Sequence, residues 1–311
     1  MSGLIGQHEG EAAPAKRRRG LLRLREGVRR SPWFVKIAAK LVLKRLPAPY
    51  RLWKRLGLFE HGPGDDPAYG EAVFARHFAL ARPAAGFTCL EMGPGDALTT
   101  AVLARAHGAA ATWLVDVGDF AGRAMAPYRL LAGRLTAAGL PSPPDDALAD
   151  RTTLLAWSNA RYLTGGLASL REVPDASVDF LFSQAVLEHV RLAEFAATLA
   201  ETRRVMRPGG VCSHRIDLRD HLGGALNNLR FPRGVWESRL FAESGFYTNR
   251  LRRGDLLALF ADAGFAAEVV GEERWPRLPT PRRALARPFR DMPDAELLVS
   301  ALDIVLRPLP A

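Results

Sequence analysis

The densest chemistry in the 311-residue chain lies in the run Glu91-Met-Gly93-Pro-Gly95-Asp96. Two glycines one residue apart let the backbone adopt dihedrals that a Cβ forbids and let a ligand approach closely. A turn built for a pyrophosphate carries a third glycine where the following helix begins. Leu98 stands at that position, and Asp96 places negative charge where a pyrophosphate would be repelled. Carboxylates on both sides of the turn, Glu91 and Asp96, instead suit a ligand bearing a cationic amino-acid group.

Further candidates follow along the chain. Asp116 lies 23 residues beyond Gly93 at the end of an apolar run, the place from which an acid accepts hydrogen bonds from ribose hydroxyls. Asp119 reads as the cap of the next helix. Ser183 and Gln184 close another apolar run. The segment Asp217-Leu-Arg219-Asp220-His221 concentrates acids and a histidine. A His there, supported by Asp217 or Asp220, is the side chain best tuned to accept a proton near neutral pH. His221 is the first choice for that base and His214 the second. A metal reading of Asp217, Asp220 and His221 finds no second ligand cluster with matching spacing, so no metal is expected. Glu188 and His189 read as helix-entry and packing residues, and His77 as a packing residue.

These residues need elements to position them. Residues 87–90 read as a buried strand and 97–107 as a helix without breakers. Residues 111–116 form a second strand, followed by a helix to about 138. Residues 147–165 are ambiguous, with 161–163 as a third strand. Pro174-Asp175-Ala-Ser177-Val178-Asp179 leads into a fourth strand ending at Gln184, then Leu187-Glu188-His189-Val190 and a helix that stops at Arg207-Pro208-Gly209-Gly210. A fifth strand spans 211–216. A helix over 250–263, a strand over 265–270, a basic Pro-rich insertion over 275–290, a helix over 293–298 and a strand over 300–306 complete the chain. Ahead of the first strand, Asp66-Pro67 caps a helix to residue 82.

The glycine turn, the Asp-to-Leu-Glu-His-Val stretch and the Pro-Gly-Gly turn, in this order over residues 87–216, resemble the class I S-adenosylmethionine-dependent methyltransferases (type 11-like). The resemblance implies an α/β fold: a Rossmann-like doubly wound seven-stranded mixed sheet ending in an antiparallel pair. It implies S-adenosyl-L-methionine as cofactor, held by Glu91, Gly93, Gly95, Asp96, Asp116, Ser183 and Gln184. It also implies an acceptor site built from segments before the first strand and after the fourth and fifth. O-methylation of a small-molecule, glycan or lipid-linked acceptor is the expected activity. Trp236, Phe241, Phe246, Tyr247 and Asn249 either stack on a flat or sugar-like acceptor or pack under one another. Family members often carry an acid near the adenine after the third strand, where this chain has Thr164-Gly165-Gly166. Two other readings are a nicotinamide-dependent oxidoreductase, which Leu98 disfavours, and a methyltransferase-like binding protein without catalysis, which the intact Glu91, Gly93, Gly95 and Asp116 disfavour.

Net charge is +10, and its distribution is uneven. Of the 43 Lys and Arg, 15 lie between Lys16 and Arg55 beside the single acid Glu26; the other 28 face 32 acids. The basicity thus belongs to an arm, which argues against a nucleic-acid-binding domain. The expected division is a basic, partly disordered arm over residues 1–62 with an amphipathic helix, and a catalytic domain over 63–311 with a substrate-loop insertion near 217–250. In the arm, Ser31-Pro32 starts a helix over 33–46 with lysines every fourth residue. Residues 16–56 either pack on the domain or contact an anionic membrane surface. No apolar run reaches the ~18 residues of a membrane span, and residues 1–15 lack a signal peptide's apolar core. Cys89 and Cys212 read as buried apolar residues. The expected location is cytoplasmic, peripheral at the membrane if the arm binds lipid.

Overall fold

The computed structural model describes residues 32–43 and 66–310. Of the expected arm, only residues 32–43, with the helix α1 (Trp33–Leu43), fall within them; the expected disorder in the rest of the arm and the last residues of the expected helix, 44–46, lie outside the described residues.

Seven strands form one sheet: β1 (Thr88–Met92), β2 (Ala111–Val115), β3 (Ala160–Leu163), β4 (Val178–Gln184), β5 (Met206–Asp217), β6 (Phe265–Arg274) and β7 (Val299–Pro308). Their order is β3-β2-β1-β4-β5-β7-β6. β1 to β5 run parallel, and β7 lies antiparallel between β5 and β6. This is the doubly wound mixed sheet that the sequence implied. The order reverses between β1 and β4, so the ligand crevice of such a sheet opens at the carboxyl ends of those two strands.

Helices cover both faces, so β1 is apolar on both sides and reads as a continuous run rather than an alternation. Cys89 packs with Leu114, Phe180 and Phe182 under α2 (Pro67–Ala81), α3 (Thr99–Ala106) and α4 (Ala126–Ala137). Its neighbour Leu90 packs on the opposite face with Leu181, Phe195 and Leu199 under α7 (Leu192–Val205). Both cysteines are buried free thiols. At α2, the Asp66 side chain accepts the Ala68 N–H at 3.0 Å and caps the helix, a contribution of about 1 kcal/mol.

Several boundaries differ from the sequence reading. The helix after β2 starts at Ala126, and Asp119 does not cap it: its carboxylate pairs with Arg151 at 2.6 Å. Arg151 opens a helix inside the ambiguous region, α5 (Arg151–Trp157), where Asp150 supplies a capping box with Thr153. β5 begins already at Met206 and takes in the Pro-Gly-Gly stretch, because Val178 pairs with Met206 before the register shifts. A four-residue α6 (Leu167–Leu170) follows β3.

The insertion after β5 has its own core. Trp236, Phe246, Tyr247, Phe241 and Leu222 pack together, and Trp33, Ile37 and Leu41 of α1 pack on them. The Trp236 indole donates to the Thr248 carbonyl at 2.7 Å. Arg252, 1% exposed, donates to the Leu218, Glu296 and Val299 carbonyls and straps the insertion to the sheet.

Candidate functional site

The turn after β1 is held from two sides. Gly93 has φ +72°, and a Cβ there would come within 2.5 Å of the Val186 side chain. Gly95 has φ +66°, and its N–H donates to Asp116 Oδ2 at 3.0 Å. The other oxygen of Asp116 accepts the Val117 N–H at 2.7 Å. One carboxylate, 7% exposed at the carboxyl end of β2, therefore fixes both the glycine turn and the chain leaving β2. Asp96, 3% exposed, lies just beyond the turn.

Glu91 sits beneath this turn on β1. Burial pushes its carboxyl up to about 8, against a lowering hydrogen bond from Thr100, with the Asp116 charge adding to the rise. Without a cation, Glu91 therefore holds its proton near neutral pH; a cationic ligand group would favour the ionised form.

Beyond Asp116 opens a cavity of about 340 Å³, lined by Val117, Gly165, Gly166, Leu167, Ala168, Arg171 and Glu194. Val117 is 77% exposed, unusual for an apolar side chain. The Gly166 N–H donates to the Asp116 carbonyl at 2.8 Å, joining the β2 and β3 exits. Nothing in the sequence marked Val117 as a site residue. The signal for the cavity was Gly165-Gly166, read as the absence of an acid rather than as room.

At the β4 exit the two predicted residues point to different partners. Ser183 Oγ lies 2.8 Å from His214 Nδ1. Gln184 Oε1 accepts from Arg76 at 2.5 Å and lies 3.2 Å from His77 Nε2. His77 Nδ1 in turn lies 2.7 Å from Ser213 Oγ, so His77 is a polar bridge from α2 to the sheet as well as a packing residue. Burial drives His77 down to about 4 and His214 to about 3. His214 is thus neutral, locked in the sheet, and a poor proton acceptor at neutral pH.

The three residues grouped after β5 separate. Asp217 holds Arg219 through both oxygens, each at 2.9 Å. Asp220 accepts N–H groups from Leu222, Gly223, Gly224 and Asn227, and the Asn227 side-chain amide. Both carboxylates are committed to shaping the loop. The His221 ring is turned toward His189, with centroids 4.6 Å apart. His189 follows Glu188 in a short 3-10 turn, Leu187–His189, at the β4 exit. One ligand atom from each of Glu188, His189 and His221 lies within 4.8 Å of the other two.

Asn249 holds that turn in place. Its side-chain amide donates to the Leu187 and Val190 carbonyls at 2.8 and 3.1 Å, and its N–H donates to the Glu188 carbonyl at 2.7 Å. The aromatic residues around it do not face a ligand. Trp236 and Phe246 are 0% exposed, Tyr247 4% and Phe241 9%, so these rings form the core of the insertion rather than a stacking platform.

The crevice at the strand-order reversal, a turn held by an acid from β2, and carboxylates around it define a nucleotide-cofactor α/β domain. A family profile described as a methyltransferase domain matches residues 90–213, from β1 into β5. Over residues 90–213 the chain is thus similar to a methyltransferase domain, and such a domain implies S-adenosylmethionine as cofactor. The residues fit that cation: the carboxylates Glu91, Asp96 and Asp116 gather at the turn, and the cavity past Val117 has the volume of a small-ligand pocket. Similar solved structures include S-adenosylmethionine-dependent methyltransferases from Mesorhizobium loti (18% identity, 76% of this chain and 97% of that one, TM-score 0.42) and Methanosarcina mazei (15%, 76% and 98%, 0.44). Another is the YcgJ protein from Bacillus subtilis (14%, 78% and 100%, 0.44). No curated protein matches the sequence.

Proposed function

We propose that the chain methylates an oxygen nucleophile of a small-molecule acceptor, with His221 as the proton acceptor. Bound S-adenosylmethionine supplies an activated methyl group and a neutral leaving group, so the protein's task is positioning and proton removal. Asp116 would receive the ribose hydroxyls, Val117 and Gly165–Leu167 the adenine, and Glu91, Gly93, Gly95 and Asp96 the amino-acid end; Gln184 would stand at the β4 side of the crevice, whereas Ser183, 0% exposed and bonded to His214, is taken up within the sheet rather than available to the cofactor. The acceptor enters between the β4 and β5 exits. The observation that carries the oxygen reading is the His221 ring, placed at that edge by the loop that Asp220 shapes. A glycan-like acceptor loses the support of a stacking surface, since the insertion's aromatics are buried.

The test follows S-adenosylhomocysteine release with panels of hydroxyl-bearing and amine-bearing acceptors. Turnover on hydroxyl acceptors should fall about 10²-fold or more in His221→Ala while cofactor affinity holds. Turnover on amines alone, or an unimpaired His221→Ala, overturns the assignment.

For the arm, we propose contact with an anionic membrane surface alongside packing on the domain. Phe34 and Val35, 57% and 44% exposed on α1, support it. Trp33, Ile37 and Leu41 are taken up by the insertion. Among the described residues no helix is long and apolar enough to cross a membrane. A cytoplasmic protein, peripheral at the membrane, is the corresponding location.

A further inference from the structure

Glu188 is a buried carboxylate with work left undone. It is 3% exposed. Its Oε1 accepts the Asp217 N–H at 3.2 Å, whereas its Oε2, also shielded from solvent, has no hydrogen-bond partner among the described residues. An unsatisfied carboxylate oxygen in the interior costs on the order of 1–3 kcal/mol or more. A cation beside Oε2 would remove that penalty.

Two imidazoles stand beside it. His189 Nδ1 lies 3.0 Å from the Tyr247 carbonyl. That carbonyl can only accept, so Nδ1 carries a proton, and Nε2 is the atom that would meet an ion. A histidine whose far nitrogen donates to a backbone carbonyl has the usual outer arrangement of a metal-binding imidazole. The second ring, His221, lies at a centroid distance of 4.6 Å. The backbone that presents these groups is fixed: Asn249 clamps the Glu188–His189 turn, and Asp220 shapes the loop that carries His221.

We propose that Glu188, His189 and His221 bind a divalent transition-metal ion at the acceptor end of the site. Their ligand atoms lie within 4.8 Å of one another. Three ligand atoms held at about 2.1 Å from one ion stand about 3.0–3.6 Å apart, so side-chain movements of about 1–2 Å close the set. Two imidazoles and one carboxylate favour Zn²⁺, Mn²⁺, Fe²⁺ or Co²⁺ over Ca²⁺ or Mg²⁺, and leave positions for water or an acceptor oxygen. The proposal rests on reading this edge as the acceptor site. It changes one role there: with the ion present, His221 is a ligand, and the positive charge meets the acceptor oxygen directly.

The test uses the full chain freed of metal by chelation. Calorimetry with Zn²⁺ and visible absorption with Co²⁺ should show one equivalent bound at micromolar affinity or tighter, with ligand-field bands of a nitrogen-ligated ion. Glu188→Gln and His221→Asn should weaken it about 10- to 100-fold. His189→Asn replaces an exposed side chain and gives up its bond to the Tyr247 carbonyl, so it should weaken binding equally with only a small fall in Tm. Affinity no tighter than millimolar, or His189→Asn binding like the native chain, overturns the site. S-adenosylhomocysteine titrated into the same samples separates the two readings. Cofactor binding without Zn²⁺ binding removes the ion site alone. Zn²⁺ binding lost in the variants, without cofactor binding, upholds the ion site and removes the methyltransferase reading.

Discussion

At Asp116 one carboxylate accepts N–H groups from Gly95 and Val117 and sits where ribose hydroxyls would arrive. Asp116→Ala should therefore weaken S-adenosylmethionine binding about 10-fold or more and cost about 1–3 kcal/mol of stability, from the two backbone donors left behind. Calorimetric titration and thermal melts of the same sample read both effects. Glu91 makes a different kind of prediction. Its folded-state carboxyl is raised to about 8 from an ordinary 4.5, so between those values the folded chain holds a proton that the unfolded chain releases. Stability from this group is fully present below about 4.5 and is lost as pH rises through about 8. Glu91→Gln should flatten that decline, with Tm of variant and native protein diverging in the variant's favour by pH 8. Parallel melts from pH 5 to pH 8.5 check it; curves that stay parallel contradict the buried, protonated state.

Among the elements, the strand–turn–helix unit is the most constrained. Gly93 combines φ +72° with Val186 standing where a Cβ would go, so Gly93→Ala should cost about 1–3 kcal/mol and loosen cofactor binding along with Tm. The Leu187–His189 turn depends on Asn249 in the insertion. Asn249→Ala should lower turnover by more than it lowers cofactor affinity, a split read from steady-state kinetics beside a titration. These two elements also show what sequence could and could not disclose. The β1 turn, Asp116 and the β4 segment were legible because their chemistry is local: a strand period, a glycine pair, an acid at a strand end. The pairing of Glu188 and His189 with His221 was not, because it depends on how the loop after β5 is turned by Asp220 and how Asn249 holds the turn after β4. The buried aromatics were ambiguous for a related reason: composition counts rings, but only packing decides whether they face a ligand or each other. Asp119 could be read as a cap only while α5 and its Arg151 were unseen.

Across the whole molecule, the sheet gathers the exits of β1, β2, β4 and β5 at one edge, while α1 and the insertion form a second packed layer with its own aromatic core. The sheet order followed from the motif series, whereas the contact between α1 and the insertion joins segments nearly 200 residues apart in sequence and had no local sign. If the arm meets lipid, full-length protein should co-sediment with anionic liposomes more than a chain beginning at Pro63, and the difference should shrink with salt; equal binding removes the membrane contact. The measurement that bears most directly on the account is calorimetric titration with S-adenosylmethionine, S-adenosylhomocysteine and NADH in parallel. Micromolar binding of the first two, with none of NADH, is the predicted result. Binding of NADH, or of none of the three, would contradict it.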